Sequence, residues 1–346
     1  MDELNETYIT LEGHVELHKY KYLYFVFMLT AYVCIIICNL TIVYVIWMHR
    51  NLHEPMYILI AALLLNSLVF CTNIYPKLLS DFLSEKQIVS YSYCYIQFFL
   101  FYSLSGSEFL LLAFMAYDRY VSICKPLQYA TIMGRTRVSI FLSLAWLVPA
   151  SVTGVQVILS SNIKLCKLNL NGILCNNSIY HMFCVSSKVH IVFGALSVAV
   201  TALLSMLIII FSYTRILIIA FQSSQEVRKK AAKTCTPHLL VLMSFSCLCA
   251  FDVIIVRLGS NFTKVVRLVM TLQVILYHPL FNPIIYGLKV KEISKQLKSL
   301  WCVQNTPPQS LPEQTERCIA YKYCRPSDGW LILKCLCFKH NDPFRV

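Results

Sequence analysis

The chain has 346 residues, 58% hydrophobic and only 14% charged, with a formal net charge of +13. A soluble globular domain carries about 25% charged residues, so this composition excludes that class and fits a polytopic membrane protein. The positive excess does not point to nucleic acid. Many basic residues stand at the ends of apolar runs and in short connections, where they set topology and face anionic membrane lipid or an acidic partner.

Residues 1–21 read as a short polar tail. The tail has no apolar stretch followed by a small-residue cleavage site, so no cleavable leader is expected. Asn5-Glu6-Thr7 fits the N-glycosylation pattern. A first crossing is predicted from Tyr22 to Met48, with Asn39 as a lone polar side chain in its middle. A membrane asparagine of that kind bonds a neighbouring helix. Pro55 opens the second crossing, Met56 to Ser80, where a proline sacrifices no helical N–H. The third apolar run, Ile96 to Ala116, is interrupted by Gln97, Ser103, Ser105, Ser107 and Glu108. It closes on Asp118-Arg119-Tyr120. An arginine at the mouth of a membrane helix is costly unless paired or interfacial, and Asp118 is its neighbour.

The fourth crossing is predicted from Val138 to Ile158, behind Arg135 and Arg137. Its Pro149 is tolerable where a membrane helix packs on others. Residues 159–189 form the longest outside loop, with Cys166, Cys175 and Cys184. With Cys94 these make four cysteines outside, where disulfides persist, and four allow three pairings. Asn176-Asn177-Ser178 is a second glycosylation pattern, and Asn261-Phe262-Thr263 a third that lies close to a membrane end. The fifth crossing, Val189 to Phe221, carries Ser212-Tyr213 near its inner end and leads into a basic loop, Gln222 to Lys233. The sixth begins near Lys230, and the seventh runs from Thr263 to Leu288. Asn282-Pro283-Ile284-Ile285-Tyr286 interrupts the seventh at a polar residue, a ready hinge. Beyond it Lys289, Lys291, Lys295 and Lys298 alternate with Val290, Ile293, Leu297, Leu300 and Trp301. Apolar steps of three and four predict a basic amphipathic helix over 289–302, lying on the membrane, with Cys302 a candidate for palmitoylation. Residues 303–346 are expected to be a disordered or atypically spliced tail. Cys318, Cys324, Cys335, Cys337 and His340 lack the paired Cys-x-x-Cys spacing of a zinc site.

Several of these stretches, in this order, resemble odorant receptors of the rhodopsin-like G-protein-coupled family. They are Leu52-His53-Glu54-Pro55-Met56-Tyr57, the run from Met115 to Tyr129, the three-cysteine loop, Lys230-Ala231-Ala232-Lys233-Thr234-Cys235-Thr236-Pro237-His238-Leu239, and Pro279-Leu280-Phe281 before the Asn282-Pro283 hinge. The resemblance covers about residues 20–302; the first of these and Asn73-Ile74-Tyr75-Pro76-Lys77 look closest to fish-type receptors. It implies an all-α bundle of seven transmembrane helices over 22–288 with an amphipathic eighth over 289–302. The plasma membrane, an extracellular amino end and a cytoplasmic carboxyl end follow from the same likeness. So do the disulfides Cys94–Cys175 and Cys166–Cys184, and glycans on Asn5 and Asn176.

The implied ligand is a small, partly polar odorant held by Phe101, Tyr102, Ser105, Gly106, Cys249, Ala250 and Val253. The implied partner is a heterotrimeric G protein of the stimulatory olfactory type. Asp118, Arg119, Tyr120, Tyr213, His238, Asn282, Pro283 and Tyr286 would transmit the change to it. Neither catalysis nor a cofactor is implied. Three departures stand out. Cys38 replaces a glycine before Asn39, and Phe245 is followed by Ser246 where the family has tyrosine. Ser67 stands where the family carries the second-helix aspartate of a sodium site, leaving Glu108 and Asn282. Glu108 is then either a residual sodium ligand or a lone carboxylate whose charged form a low-dielectric bundle disfavours.

Other classes fit less well. A transporter or channel wants broken helices in repeated halves, and no such repeat is visible. A retinal receptor would carry a lysine where Leu276 stands, and an amine receptor an aspartate where Phe101 stands. The runner-up is a rhodopsin-like receptor for a lipid or peptide mediator.

Overall fold

The computed structural model describes residues 8–15, 17–161, 163–184, 188–222 and 263–304, with helical positions at 225, 235–236, 239–244 and 246–247. Six helices among them are long and apolar enough to cross a membrane. They are α1 (Leu17–Met48), α2 (Pro55–Leu83), α3 (Tyr91–Cys124), α4 (Arg135–Ser161), α5 (Lys188–Gln222) and α6 (Lys264–Lys289). Helices are the expected solution, because an apolar bilayer leaves every backbone N–H and C=O to be satisfied within its own segment. The α6 helix is the seventh crossing of the sequence reading; most of the sixth, with His238, lies outside the described residues. A last helix, α7, spans Lys291–Gln304.

Local chemistry sets the ends. Pro55 opens α2, the Ser90 side chain accepts from Tyr93 N at α3, and Thr263 accepts from Val266 N at α6, each relieving an orphan N–H of the first turn. The α3 helix is the axle of the bundle, packed on α2, α4 and α5, while α6 packs on α1 and α2. The inner half of the core centres on Leu63, Leu111, Ala113, Val121 and Tyr286. The outer half centres on Met28, Ile35, Cys71, Tyr75 and Ile275. Leu203, Leu207, Ile210 and Leu217 of α5 are exposed, as a lipid-facing stripe must be.

Two expectations need correction. The tail over 1–21 is not simply a tail. Strand β1 (Tyr8–Leu11) lies between β2 (Ile88–Ser90), antiparallel, and β3 (Asn169–Leu170), parallel. Ile9 and Leu11 point into a cap cluster with Val89, Cys94, Leu170 and Cys175, and α1 begins at Leu17 rather than Tyr22. The amphipathic helix, in turn, does not give all its apolar residues to the membrane. Ile293 is buried within the bundle core, and Leu297 lies beside Gly287, where an added Cβ would meet its Cδ1 at 3.4 Å and Ile42 Cδ1 at 3.3 Å.

Candidate functional site

At the inner end of α3, Asp118 is completely buried. Arg119 donates to its Oδ2 from Nη2 at 2.7 Å and from Nε at 3.2 Å. The Tyr129 hydroxyl, from a helical turn Tyr129–Ile132 after α3, donates to Oδ1 at 2.8 Å. Both carboxylate oxygens are therefore engaged, which is what a buried charge requires. Burial, followed by the Asp118 charge and hydrogen bond, pushes the Tyr129 phenol well above its ordinary range, so it keeps its proton and remains a donor. The Arg119 charge is within electrostatic reach of Tyr57, Tyr213 and Cys235. Tyr120 packs edge-on against Phe211 at 5.5 Å, and Tyr213 and Tyr286 are buried nearby. Sequence reasoning paired Asp118 with Arg119 and missed Tyr129; the phenol comes back only because the chain turns after Cys124.

At mid-depth, Glu108 is not a lone carboxylate. Its Oε1 accepts from Asn282 Nδ2 at 3.1 Å and lies 3.1 Å from His278 Nδ1. Asn282 Nδ2 is also 3.4 Å from Ser67 Oγ. Asn39 Nδ2 donates to the Pro279 carbonyl at 2.9 Å, the cross-helix bond expected of it, and Trp146 Nε1 donates to Asn66 Oδ1 at 3.3 Å. A hard cation wants several oxygen ligands. The two groups gathered on Glu108 Oε1 present nitrogens, and α2 brings only the neutral Ser67 hydroxyl, which already accepts from Asn282. The residues do not fit a sodium ion. His278 has no counterpart in the sequence reading, where it was only the residue before Pro279.

At the outer end, Cys94 is bonded to Cys175 and Cys166 to Cys184. The loop is pinned further where Cys175 N donates to Gln97 Oε1 at 2.8 Å and Asn177 N donates to Tyr102 OH at 3.0 Å. Gln156 Nε2 donates to Tyr180 OH at 3.0 Å. Phe101 is buried beside Phe70, with ring centroids 5.3 Å apart, and edge-on to Tyr102. Ser105 Oγ donates back to the Phe101 carbonyl at 2.7 Å. Gly106 faces α4, where an added Cβ would stand 2.8 Å from Pro149 Cβ. Phe101 and Tyr102 are thus brought under the loop, and Gly106 serves helix packing. Cys249, Ala250, Val253 and Asn5 lie outside the described residues.

The Asn176 side chain is drawn inward. That side chain is only 8% exposed, and its Oδ1 accepts from Ser178 N as the cap of a short helical turn. A bulky glycan needs a surface acceptor. A small apolar cavity of about 100 Å³ lies elsewhere, between α1, α2 and α6, lined by Tyr24, Met28, Phe82, Leu268 and Leu272 with His14 above. Burial pushes the His14 imidazole down to about 4, helped by the nearby Lys77 charge.

Comparison with known proteins agrees with this geometry. A family model described as olfactory receptor matches residues 27–304. The chain is similar to human olfactory receptor 11A1, 31% identical over 303 residues, covering 87% of this chain and 95% of that protein. It is 31% identical to human olfactory receptor 6K3 over 310 residues, covering 88% and 93%. Against human olfactory receptor 4Q2 it is 33% identical over 281 residues, covering 80% and 88%. These relatives are human and lend no support to a fish-type style.

Proposed function

The chain belongs to the olfactory receptor family, a family of signalling receptors and not of enzymes, and on that premise we propose how it works. A small-molecule odorant binds inside the helix bundle, beneath the disulfide-pinned loop and against Phe101, Tyr102 and Ser105 of α3. Binding favours a state in which Arg119 leaves the Asp118 carboxylate that it shares with Tyr129, and Tyr213 and Tyr286 rearrange to receive it. The cleft so opened takes a heterotrimeric G protein of the stimulatory olfactory type, and cyclic AMP rises. A ligand shifts such an equilibrium only by its differential affinity for the two states. The chain therefore needs no chemistry of its own.

The observation that carries this reading is the closed Asp118–Arg119–Tyr129 arrangement at the inner end, a buried carboxylate held at both oxygens. The orientation follows the same logic. Arg50, Arg135, Arg137, Lys289 and Lys291 cluster in the connections and ends at one side, as cytoplasmic loops do. The two disulfides lie at the other, where the oxidising exterior preserves them. The carboxyl end is then cytoplasmic and the multi-pass chain sits in the plasma membrane. The test is a cyclic AMP assay in cells expressing the chain with the olfactory G protein, screened against water-soluble and volatile odorant mixtures. A ligand-dependent rise supports the reading. Silence across G-protein subtypes, with surface expression verified, contradicts it.

A further inference from the structure

The buried polar cluster at mid-depth holds one short stretch of α6 from three sides. Asn39 of α1 donates to the Pro279 carbonyl, Ser67 of α2 lies against Asn282, and Glu108 of α3 takes both Asn282 and His278. This stretch contains Pro279 and Pro283, each of which removes a helical N–H and weakens the helix there. The places where α6 can bend are therefore the places where its neighbours grip it. A carboxylate in such surroundings needs partners, because burying one without them costs several kcal/mol. Asn282 can only donate through its Nδ2, so Oε1 acts as acceptor, and the imidazole tautomer that carries hydrogen on Nδ1 completes the pair. The side chains of His278 and Glu108 are only 5% and 9% exposed, so bulk solvent is kept from the pair. Among the described residues, Cys71 of α2 and, besides His278, Tyr286 of α6 also lie within electrostatic reach of Glu108.

We infer that His278 is a positioning residue that closes Glu108 with an N–H where a cation would otherwise sit, latching α3 to α6 by a bond that needs no metal ion. Two features of the structure converge on this. Ser67 brings no anionic oxygen from α2, its hydroxyl being turned to Leu63 O at 3.1 Å. The imidazole and the Asn282 amide both aim their nitrogens at the one Glu108 oxygen, which puts two N–H groups on the anionic oxygen a cation would need.

The test uses the purified full-length receptor in detergent and reads its melting temperature, with no G protein or odorant involved, so its outcome is separate from that of the signalling proposal. In sodium chloride and in potassium chloride of equal ionic strength the wild type should melt together. A saturable rise specific to sodium would overturn the inference. His278→Leu should melt several degrees lower, and His278→Asn, which keeps an N–H near the Nδ1 position, should recover most of the loss. Equal melting of the leucine variant and the wild type, or an asparagine variant as unstable as the leucine one, would overturn it. Ser67→Asp combined with His278→Ser adds an anionic oxygen and removes the imidazole, and should gain sodium-dependent stabilisation. A double variant as indifferent to sodium as the wild type would show that these two residues are not what excludes the ion.

Discussion

Tyr129→Phe removes one hydroxyl and leaves the ring. The lost hydrogen bond is the 2.8 Å contact to Asp118 Oδ1, and the acceptor is a fully buried carboxylate. Hydrogen bonds to charged groups contribute about 1.5–3 kcal/mol, and each 1.4 kcal/mol is about tenfold in an equilibrium constant. If the bond exists only while Arg119 is held by Asp118, its loss moves the balance towards the signalling state by about tenfold at the low end of that range. A state populated at about 1% would reach about 10%, which a basal cyclic AMP assay normalised to surface receptor resolves easily. The prediction is a raised basal signal without odorant, with surface expression near that of the wild type. A basal signal equal to the wild type at matched expression would refute the argument that Tyr129 helps hold the pair closed.

Further expectations follow from other contacts. Cys175→Ser opens a loop of 81 residues, a loss of about 4.5 kcal/mol on loop-closure grounds, and should leave little receptor at the surface by flow cytometry; normal surface levels would contradict the role given to that bridge. Gly106→Val places methyl groups where Pro149 Cβ already stands within 2.8 Å of an added Cβ, and overpacking of this kind costs about 1–3 kcal/mol, read as a lower melting temperature of the purified receptor. The docked amino-terminal strand should also loosen in acid. His14 titrates at about 4 when docked against about 6.5 when free, so the undocked chain takes up the proton first. Docking is therefore at full strength above about 6.5 and weakens by about 1.4 kcal/mol per pH unit down to about 4. Hydrogen exchange at Ile9 and Leu11 should be faster at pH 5 than at pH 7, relative to the intrinsic rate, and the difference should vanish in His14→Phe.

Much of this was legible beforehand, and the parts that were not share a cause. The crossings announce themselves because an apolar run of bilayer length has few other uses, and the four outside cysteines pair as the family resemblance implied. Asn39 was expected to reach another helix and does. The β1 strand was invisible because a four-residue segment in a polar stretch carries no signal of its own; it is made by partners at Ile88–Ser90 and Asn169–Leu170, which only the folded bundle brings alongside. His278 failed to stand out for the same reason. On the chain it is one histidine before a proline, and its meaning lies in Glu108, which belongs to another helix. Asn176 shows the converse, a local pattern that matches while the loop's own capping turns the side chain inward. Gly106 sat on the face assigned to ligand because helical spacing alone cannot tell a pocket wall from the wall of a neighbouring helix.

The central claim is that this chain transmits odorant binding through the Asp118–Arg119 pair. The measurement that tests it most directly compares Arg119→Ala with the wild type for odorant-evoked cyclic AMP, in cells carrying the olfactory G protein and with surface receptor counted in both. The account predicts a response in the wild type and none in the variant at comparable surface density. A full response from a well-expressed Arg119→Ala receptor would contradict it.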